Sequence, residues 1–208
     1  DPPETIPAGA LLRVSLAHWW RPDESEDEPR CYVQLSGWFG LNGHAGSSVP
    51  PPSVASAVPA AARTDPHALL RSVFGYDTFR ALQLEIITNL LAGRDTLGIM
   101  PTGSGKSICY QIPALIFDGL TVVISPLISL MHDQVEQLRV LGVPAAFLNS
   151  TVEYADYLAT AKQVRAGKIK LLYTSPETLL RPETLVLLDR SRVRCLAIDE
   201  AHCISEWG

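Results

Sequence analysis

The sequence predicts an α/β fold in which helices cover a parallel sheet. Three observations support this prediction. Strand-like and helix-like segments alternate from residue 66 onwards, a glycine-rich loop joins one strand to one helix, and two carboxylates follow a later apolar strand. Such alternation is typical of a parallel sheet that is covered on both faces, and ligands bind such sheets at the carboxyl ends of the strands.

The individual elements are predicted from the spacing of apolar residues. Short apolar runs predict strands over residues 96–100, 121–125, 145–148, 170–174 and 194–198. Helical spacing predicts helices over residues 67–73, 79–91, 108–117, 127–141 and 154–165. We therefore predict one α/β domain over residues 66–208.

Residues 1–65 differ in composition from this domain. They contain an acidic run at 23–28 and a stretch rich in Ser, Pro and Ala at 47–66, which predicts a linker. Residues 31–41 could form a short strand or hairpin, and we expect the rest of the segment to be largely irregular. Its three tryptophans leave a partner-binding role open, but no chemistry is predicted there.

Composition limits the classes of function. The chain has 208 residues, of which 47% are hydrophobic, enough for a substantial core. The net charge of −5 gives no basic footprint for a protein that coats nucleic acid, although a protein that touches nucleic acid only locally does not need one. The four cysteines have no metal-binding spacing, so we expect no zinc site and a reducing, intracellular compartment.

The glycine-rich loop runs Met100-Pro-Thr-Gly-Ser-Gly-Lys-Ser107 and predicts phosphate binding. Glycines let successive backbone N–H groups turn towards phosphate oxygens, and the following helix adds the positive end of its dipole. Lys106 can reach the outer phosphates, and the Ser107 hydroxyl can ligate Mg²⁺. The predicted phosphate-binding residues are Thr102, Gly103, Ser104, Gly105, Lys106 and Ser107. An incidental turn is the alternative, which the strand–loop–helix context disfavours.

A pair of carboxylates, Asp199 and Glu200, follows the apolar run 194–198. At the tip of a buried strand, Asp199 would hold Mg²⁺ and Glu200 would polarise an attacking water. The alternative is two exposed carboxylates without a role. Their position downstream of a phosphate loop favours nucleotide hydrolysis.

Residues 70–208 resemble the first motor lobe of RecQ-type DNA helicases, which belong to superfamily 2. The resemblance rests on the phosphate loop, the Asp-Glu-Ala-His sequence and the segment 70–83. It implies a RecA-like P-loop NTPase lobe. It also implies that Tyr76 stacks on the adenine and that Arg80 and Gln83 bond to the nucleotide. The family often has Pro where this chain has Ala81.

Two further segments carry the resemblance. Residues 121–134 resemble a motif that touches single-stranded DNA, which implies that Ser125 and Pro126, at the start of a helix, contact a phosphate. The sequence Asp-Glu-Ala-His-Cys-Ile-Ser-Glu-Trp-Gly at 199–208 implies a catalytic role for His202, beside Lys106 and Glu200. Trp207 would begin an aromatic loop that couples DNA contact to hydrolysis. RNA helicases of the DEAH type share only the first four of these residues.

The implied function is that of an ATP-dependent 3′–5′ DNA helicase in recombination and repair. It implies ATP and Mg²⁺ as cofactors and single-stranded and duplex DNA as partners, in the cytoplasm or nucleoid of a bacterium or the nucleus of a eukaryote. Because the resemblance stops within the lobe, we expect a fragment that lacks a central strand and a second motor lobe. Two alternatives remain open: a non-catalytic nucleotide- or partner-binding module, and a DEAH-type RNA helicase.

Overall fold

The computed structural model describes residues 64–101 and 103–200, together with the backbone of residues 11–12 and 31–36. In this part of the chain the strands are β1 (Leu11–Leu12), β2 (Cys31–Ser36), β3 (Thr96–Ile99), β4 (Leu120–Ile124), β5 (Ala145–Leu148), β6 (Leu171–Thr174) and β7 (Val193–Asp199). They form one sheet in the order β1-β3-β2-β7-β4-β6-β5. All neighbouring pairs are parallel except β1 and β3. The predicted parallel α/β architecture is confirmed.

The helices of the described chain are α1 (Pro66–Ser72), α2 (Gln83–Leu91), α3 (Ile108–Ile116), α4 (Ile128–Val140), α5 (Tyr154–Arg165), α6 (Pro176–Leu179) and α7 (Pro182–Asp189). The five predicted helices are confirmed, although α2 begins at Gln83 and not at residue 79. Leu82, with a φ of 68°, lies in the left-handed region, which no α-helix can contain. The short helices α6 and α7 were not predicted.

The sheet is buried on both faces. Every residue of β4 and of β6 is buried, as expected for central strands of a parallel sheet. Successive side chains on β4 face opposite sides: Val123 packs in the core with α1 to α4, and Val122 packs in the core with α5 and α7. The two cores fix the strand ends, where the candidate site lies.

The position between β3 and β7 is occupied by β2. Val33 pairs with Thr96 of β3 and with Ala197 of β7, so this strand is hydrogen-bonded on both sides. The expectation that a central strand would be lacking is therefore wrong for this chain. Two strands with unpaired backbone groups facing a common gap favour a third strand that satisfies both. A segment assigned to the N-terminal region thus forms part of the lobe's sheet.

None of the described helices combines the length and the apolar character that crossing a membrane requires.

Candidate active site

A cavity of about 370 Å³ opens beside the glycine-rich loop and the tip of β7. It brings three separately predicted sequence segments together. The predicted site residues that line it are Tyr76, Arg80, Gln83, Gly103, Gly105, Lys106, Ser107, Asp199 and Glu200. The convergence places a candidate base-binding segment, a phosphate loop and two carboxylates around one volume.

The conformation of the loop depends on its glycines. Gly103 and Gly105 have φ values of 78° and 81°, which side chains other than glycine rarely tolerate. A Cβ atom on Gly105 would lie 2.6 Å from the side-chain nitrogen of Gln83, so a side chain there would also collide. Ser104 turns inward, since its N–H and its hydroxyl both donate to the Pro101 carbonyl, at 3.2 and 2.6 Å. Helix α3 begins immediately after Ser107.

The segment before α2 is tied to this loop by hydrogen bonds. A guanidinium nitrogen of Arg80 donates to the Gly103 carbonyl at 2.6 Å. The Nε2 atom of Gln83 donates to the carbonyls of Ser104 at 3.2 Å and Gly105 at 2.9 Å, and its Oε1 atom accepts from the Arg80 N–H at 2.8 Å. Gln83 is buried, so these bonds hold the two segments in a fixed relation. The predicted contacts of Arg80 and Gln83 with a nucleotide remain predictions.

Tyr76 presents an aromatic ring at the cavity. Its side chain is 50% exposed, unlike the buried Phe74 two residues earlier. Aromatic faces are suited to stacking on planar bases. The accessible ring is therefore compatible with the predicted adenine contact.

Lys106 and Glu200 form an ion pair across the cavity. The Lys106 Nζ lies 3.3 Å from a carboxylate oxygen of Glu200, and both side chains are largely shielded from solvent. Glu200 has a φ of 52°, an unfavourable conformation for a residue with a side chain. Such strained residues are concentrated at functional sites, and here the strained residue is the one whose carboxylate pairs with Lys106 of the loop.

Asp199 is a buried carboxylate with an altered acidity. Burial raises its pKa from 3.8 to about 6, and the neighbouring Glu200 carboxylate adds to this rise. The Lys106 ammonium, the Glu200 N–H at 3.1 Å and the Gln134 side chain act in the opposite direction. A cation bound beside Asp199 would offset the cost of holding its charge in this position.

The donor atoms at this edge fit Mg²⁺. This ion prefers oxygen ligands and is commonly bound by one or two carboxylates together with substrate phosphates. Ser107 contributes a hydroxyl and Asp199 a carboxylate to the same cavity. No cluster of three or more His, Cys, Asp or Glu residues able to hold a metal occurs among the described residues, so phosphate oxygens would have to complete the coordination.

The predicted DNA-contacting residues lie apart from this cavity, at the end of β4. The Ser125 side chain is buried, and the structure shows no hydrogen-bond partner for its hydroxyl among the described residues. The Ser125 N–H donates to the Thr174 carbonyl at 3.1 Å, and Pro126 has no N–H. Helix α4 begins only at Ile128, so neither residue offers a free backbone N–H to a phosphate. Their predicted contact with DNA remains a prediction.

Three predicted site residues, Thr102, His202 and Trp207, lie outside the described residues. Their proposed roles remain predictions.

Among the lining residues that received no role from the sequence, Gln134 is the one with a side-chain amide. Gln134, on α4, lines the same volume as Lys106, Ser107 and Asp199. The sequence signal was present, because Gln134 closes the segment 121–134 that resembles a helicase motif. From the sequence alone, an amide in the middle of a helix is expected to face solvent, and only the fold shows that this one faces the cavity.

Fold and site together define a P-loop nucleotide-binding lobe, and sequence comparison gives its family. Residues 80–208 match the DEAD/DEAH box helicase family, so the chain belongs to this family. Within it, the chain is similar to RecQ-type DNA helicases. It is 54% identical over 140 residues to the ATP-dependent DNA helicase RecQ of Haemophilus influenzae, and 50% identical over 141 residues to that of Bacillus subtilis.

A eukaryotic relative extends the similarity. The chain is 42% identical over 147 residues to the ATP-dependent DNA helicase Q1 of Rattus norvegicus. Each of these three matches covers 67% of this chain. The matched part is 23% of the Haemophilus protein's length and 24% of that of the other two. The similarity thus concerns about a quarter of each relative.

Proposed function

We propose that this chain is the ATP-binding motor lobe of a RecQ-type 3′–5′ DNA helicase and acts inside the cell in DNA recombination and repair. The observation that carries the proposal is the convergence of Tyr76, Lys106, Ser107, Asp199 and Glu200 on one cavity. Relatives named as ATP-dependent DNA helicases support the choice of ATP and DNA.

ATP would bind with its base at Tyr76 and its phosphates at the loop. Lys106 would exchange its present partner, Glu200, for the outer phosphates, because both present negative oxygens within its reach. Arg80 and Gln83 would hold the loop carbonyls while the backbone N–H groups turn to the phosphates. The nucleotide would thus be held by stacking at its base and by hydrogen bonds at its phosphates.

Hydrolysis would use the carboxylates at the tip of β7. Asp199 and Ser107 would hold Mg²⁺, which neutralises charge on the phosphates. Glu200, released from Lys106, would orient the attacking water and accept its proton. His202 is proposed to assist at the same edge.

DNA would contact the neighbouring strand ends. Helix α4 begins at Ile128, and the N–H groups of its first turn have no partner within the helix, so they can bind a phosphate. Ser125 and Pro126 would position that turn, and Trp207 would stack on a base and report DNA contact to the hydrolytic carboxylates.

Full activity would need a second motor lobe. In related motors an arginine from elsewhere stabilises the charge that develops on the transferred phosphate and contributes roughly 10³–10⁵ in rate. We therefore expect the 208-residue chain to bind ATP but to show negligible turnover and no unwinding.

Titration of the chain with a fluorescent ATP analogue in Mg²⁺ tests the proposal. Lys106→Ala should weaken binding by about 10- to 100-fold, since a charged hydrogen bond is lost. Lys162→Ala, which removes an exposed lysine from α5, is the matched control and should bind as the unchanged chain does. Equal affinity of all three proteins would refute the site.

The choice of nucleic acid is tested separately. Fluorescence anisotropy with single-stranded DNA and RNA of the same base order should show preferential binding to DNA. Preferential binding to RNA would favour the DEAH-type RNA helicase alternative.

A further inference from the structure

A buried hydrogen bond beside the cavity joins α3, the helix that follows the phosphate loop, to α4. Tyr110, on the first turn of α3, is completely buried. Its hydroxyl donates to the Oε1 atom of Gln134 on α4 at 2.9 Å. Gln134 itself lines the cavity beside Ser107 and Asp199. The pair therefore joins two helices directly behind the two candidate magnesium ligands.

The bond from Tyr110 fixes which end of the Gln134 amide faces the site. An amide has one oxygen that accepts and one nitrogen that donates. Since the Tyr110 hydroxyl occupies the oxygen, the Nε2 atom is the end that is left for Asp199. A carboxylate can only accept, so this orientation is attractive and the reverse would be repulsive. Gln134 and Asp199 line the same cavity, so the donor end of the amide and the carboxylate share one volume.

Tyr110 is also joined to the residue that carries the other candidate ligand. Its backbone N–H donates to the Ser107 carbonyl at 3.3 Å. The same tyrosine thus contacts the backbone of Ser107 and, through its hydroxyl, the side chain of Gln134.

The surroundings of Tyr110 hold it in place. Its ring meets the ring of Tyr173 on β6 edge to face, with centroids 6.4 Å apart. The Tyr173 hydroxyl in turn accepts from the Nε2 atom of the buried Gln111 at 3.2 Å. Polar networks that are buried and satisfied in this way are rigid, so Tyr110 is suited to fix the orientation of a neighbour.

We propose that Gln134, oriented by Tyr110, is a positioning residue for the magnesium-bound nucleotide: it holds the Asp199 carboxylate where that group can act together with Ser107. The proposal rests on the proposed ATP-binding function and deepens it. Gln134 then contributes only to the increase in nucleotide affinity that Mg²⁺ provides. It does not contribute to the affinity that comes from Lys106 and the base-binding segment.

The test measures the affinity of the 208-residue chain for a fluorescent ATP analogue, once in Mg²⁺ and once in EDTA. Gln134→Leu removes the amide and keeps most of the side-chain volume. It should reduce the gain in affinity due to Mg²⁺ by about tenfold, which corresponds to one hydrogen bond to a charged group, and leave the affinity in EDTA unchanged. Tyr110→Phe should act in the same direction. The double variant should lose no more than Gln134→Leu alone, because the two residues act in series.

Gln137→Leu is the matched control, with the same change at an exposed position one turn further along α4, and it should bind normally in both buffers. An unchanged magnesium gain in Gln134→Leu would overturn the proposal. So would an equal loss of affinity in both buffers, which would indicate a general structural role. If the unchanged chain binds no nucleotide in either buffer, or if Lys106→Ala binds it as tightly as the unchanged chain does, the proposed function fails, and this inference fails with it.

Discussion

The Nζ atom of Lys106 lies 3.3 Å from a carboxylate oxygen of Glu200, so the residue proposed to bind phosphate is paired with the residue proposed to activate water. Both side chains are largely buried, and the ion pair is therefore only weakly screened. Phosphate binding must replace this pair. The competition predicts that the Glu200 charge opposes nucleotide binding.

Glu200→Gln should therefore bind ATP more tightly in EDTA. The substitution removes a negative charge that repels the triphosphate, and it releases Lys106 to bind the phosphates. Near a protein surface, a charge–charge interaction of this kind changes the affinity by about tenfold. Titration with a fluorescent ATP analogue measures the change. In any longer protein that shows turnover, the same variant should bind ATP and fail to hydrolyse it.

Glu183→Gln, at an exposed position in the first turn of α7, is the control for loss of one carboxylate elsewhere. It should leave the affinity unchanged. Weaker binding by Glu200→Gln would mean that Glu200 assists the nucleotide-bound state and does not compete with it.

The pKa of Asp199 gives a prediction for the stability of the metal-free chain. Because the folded state raises this pKa from 3.8 to about 6, it favours the protonated carboxyl. The contribution of this group to the free energy of unfolding is greatest below pH 4 and declines as the pH rises to about 6. The loss is on the order of 2–3 kcal/mol and is complete above that pH.

Urea unfolding in EDTA between pH 4 and pH 7 measures this effect. Other carboxylates contribute in the opposite direction, so the quantity to compare is the stability of the unchanged chain relative to Asp199→Asn. That difference should fall as the pH rises from 4 to 7. A pH-independent difference for Asp199→Asn would contradict the assignment.

The sequence predicted those parts of the fold that depend on local pattern. Apolar runs such as 121–125 and helical spacing such as 154–165 gave elements within a residue or two of β4 and α5. Helix α6 has only 4 residues, too few to show periodicity, whereas α7, with 8, was missed although it is at least as long as the predicted α1. Their signal was different: Pro176 and Pro182 each occupy the first helical position, and Ser175 caps α6 with its side chain.

The parts of the site that depend on tertiary contacts could not be predicted. The sequence linked Gln83 to the nucleotide, but only the fold shows its amide on the Ser104 and Gly105 carbonyls. Likewise, Gln134 lies more than 60 residues before Asp199, and no local pattern joins them. Strand β2 is the extreme case, since its place in the sheet is set by two strands distant in sequence.

The left-handed conformation of Leu82 predicts an inverted preference between alanine and glycine. At φ 68° a side chain costs about 1–2 kcal/mol, and glycine avoids this cost. Leu82→Gly should therefore be about 1 kcal/mol more stable than Leu82→Ala, although both lose the same packing. Chemical denaturation of the two variants measures the difference.

Thr88, an exposed residue within α2, provides the opposite case. There the free energy of unfolding of Thr88→Ala should be about 1 kcal/mol higher than that of Thr88→Gly, because alanine is favoured over glycine inside a helix. If alanine is favoured at both positions, residue 82 does not adopt the left-handed conformation in solution.

The position of β2 gives the last prediction. Val33 lies in the middle of this strand and is paired with β3 on one side and β7 on the other. Val33→Pro removes a backbone donor and introduces a ring that a central strand cannot accommodate, so it should lower the free energy of unfolding by about 3 kcal/mol and weaken nucleotide binding. Val54→Pro, the same change in the stretch predicted as a linker, should alter neither property.

Thermal unfolding followed by circular dichroism distinguishes the cases. If both proline variants unfold at the same temperature as the unchanged chain, residues 31–36 do not contribute to the sheet. The position between β3 and β7 must then be filled in another way.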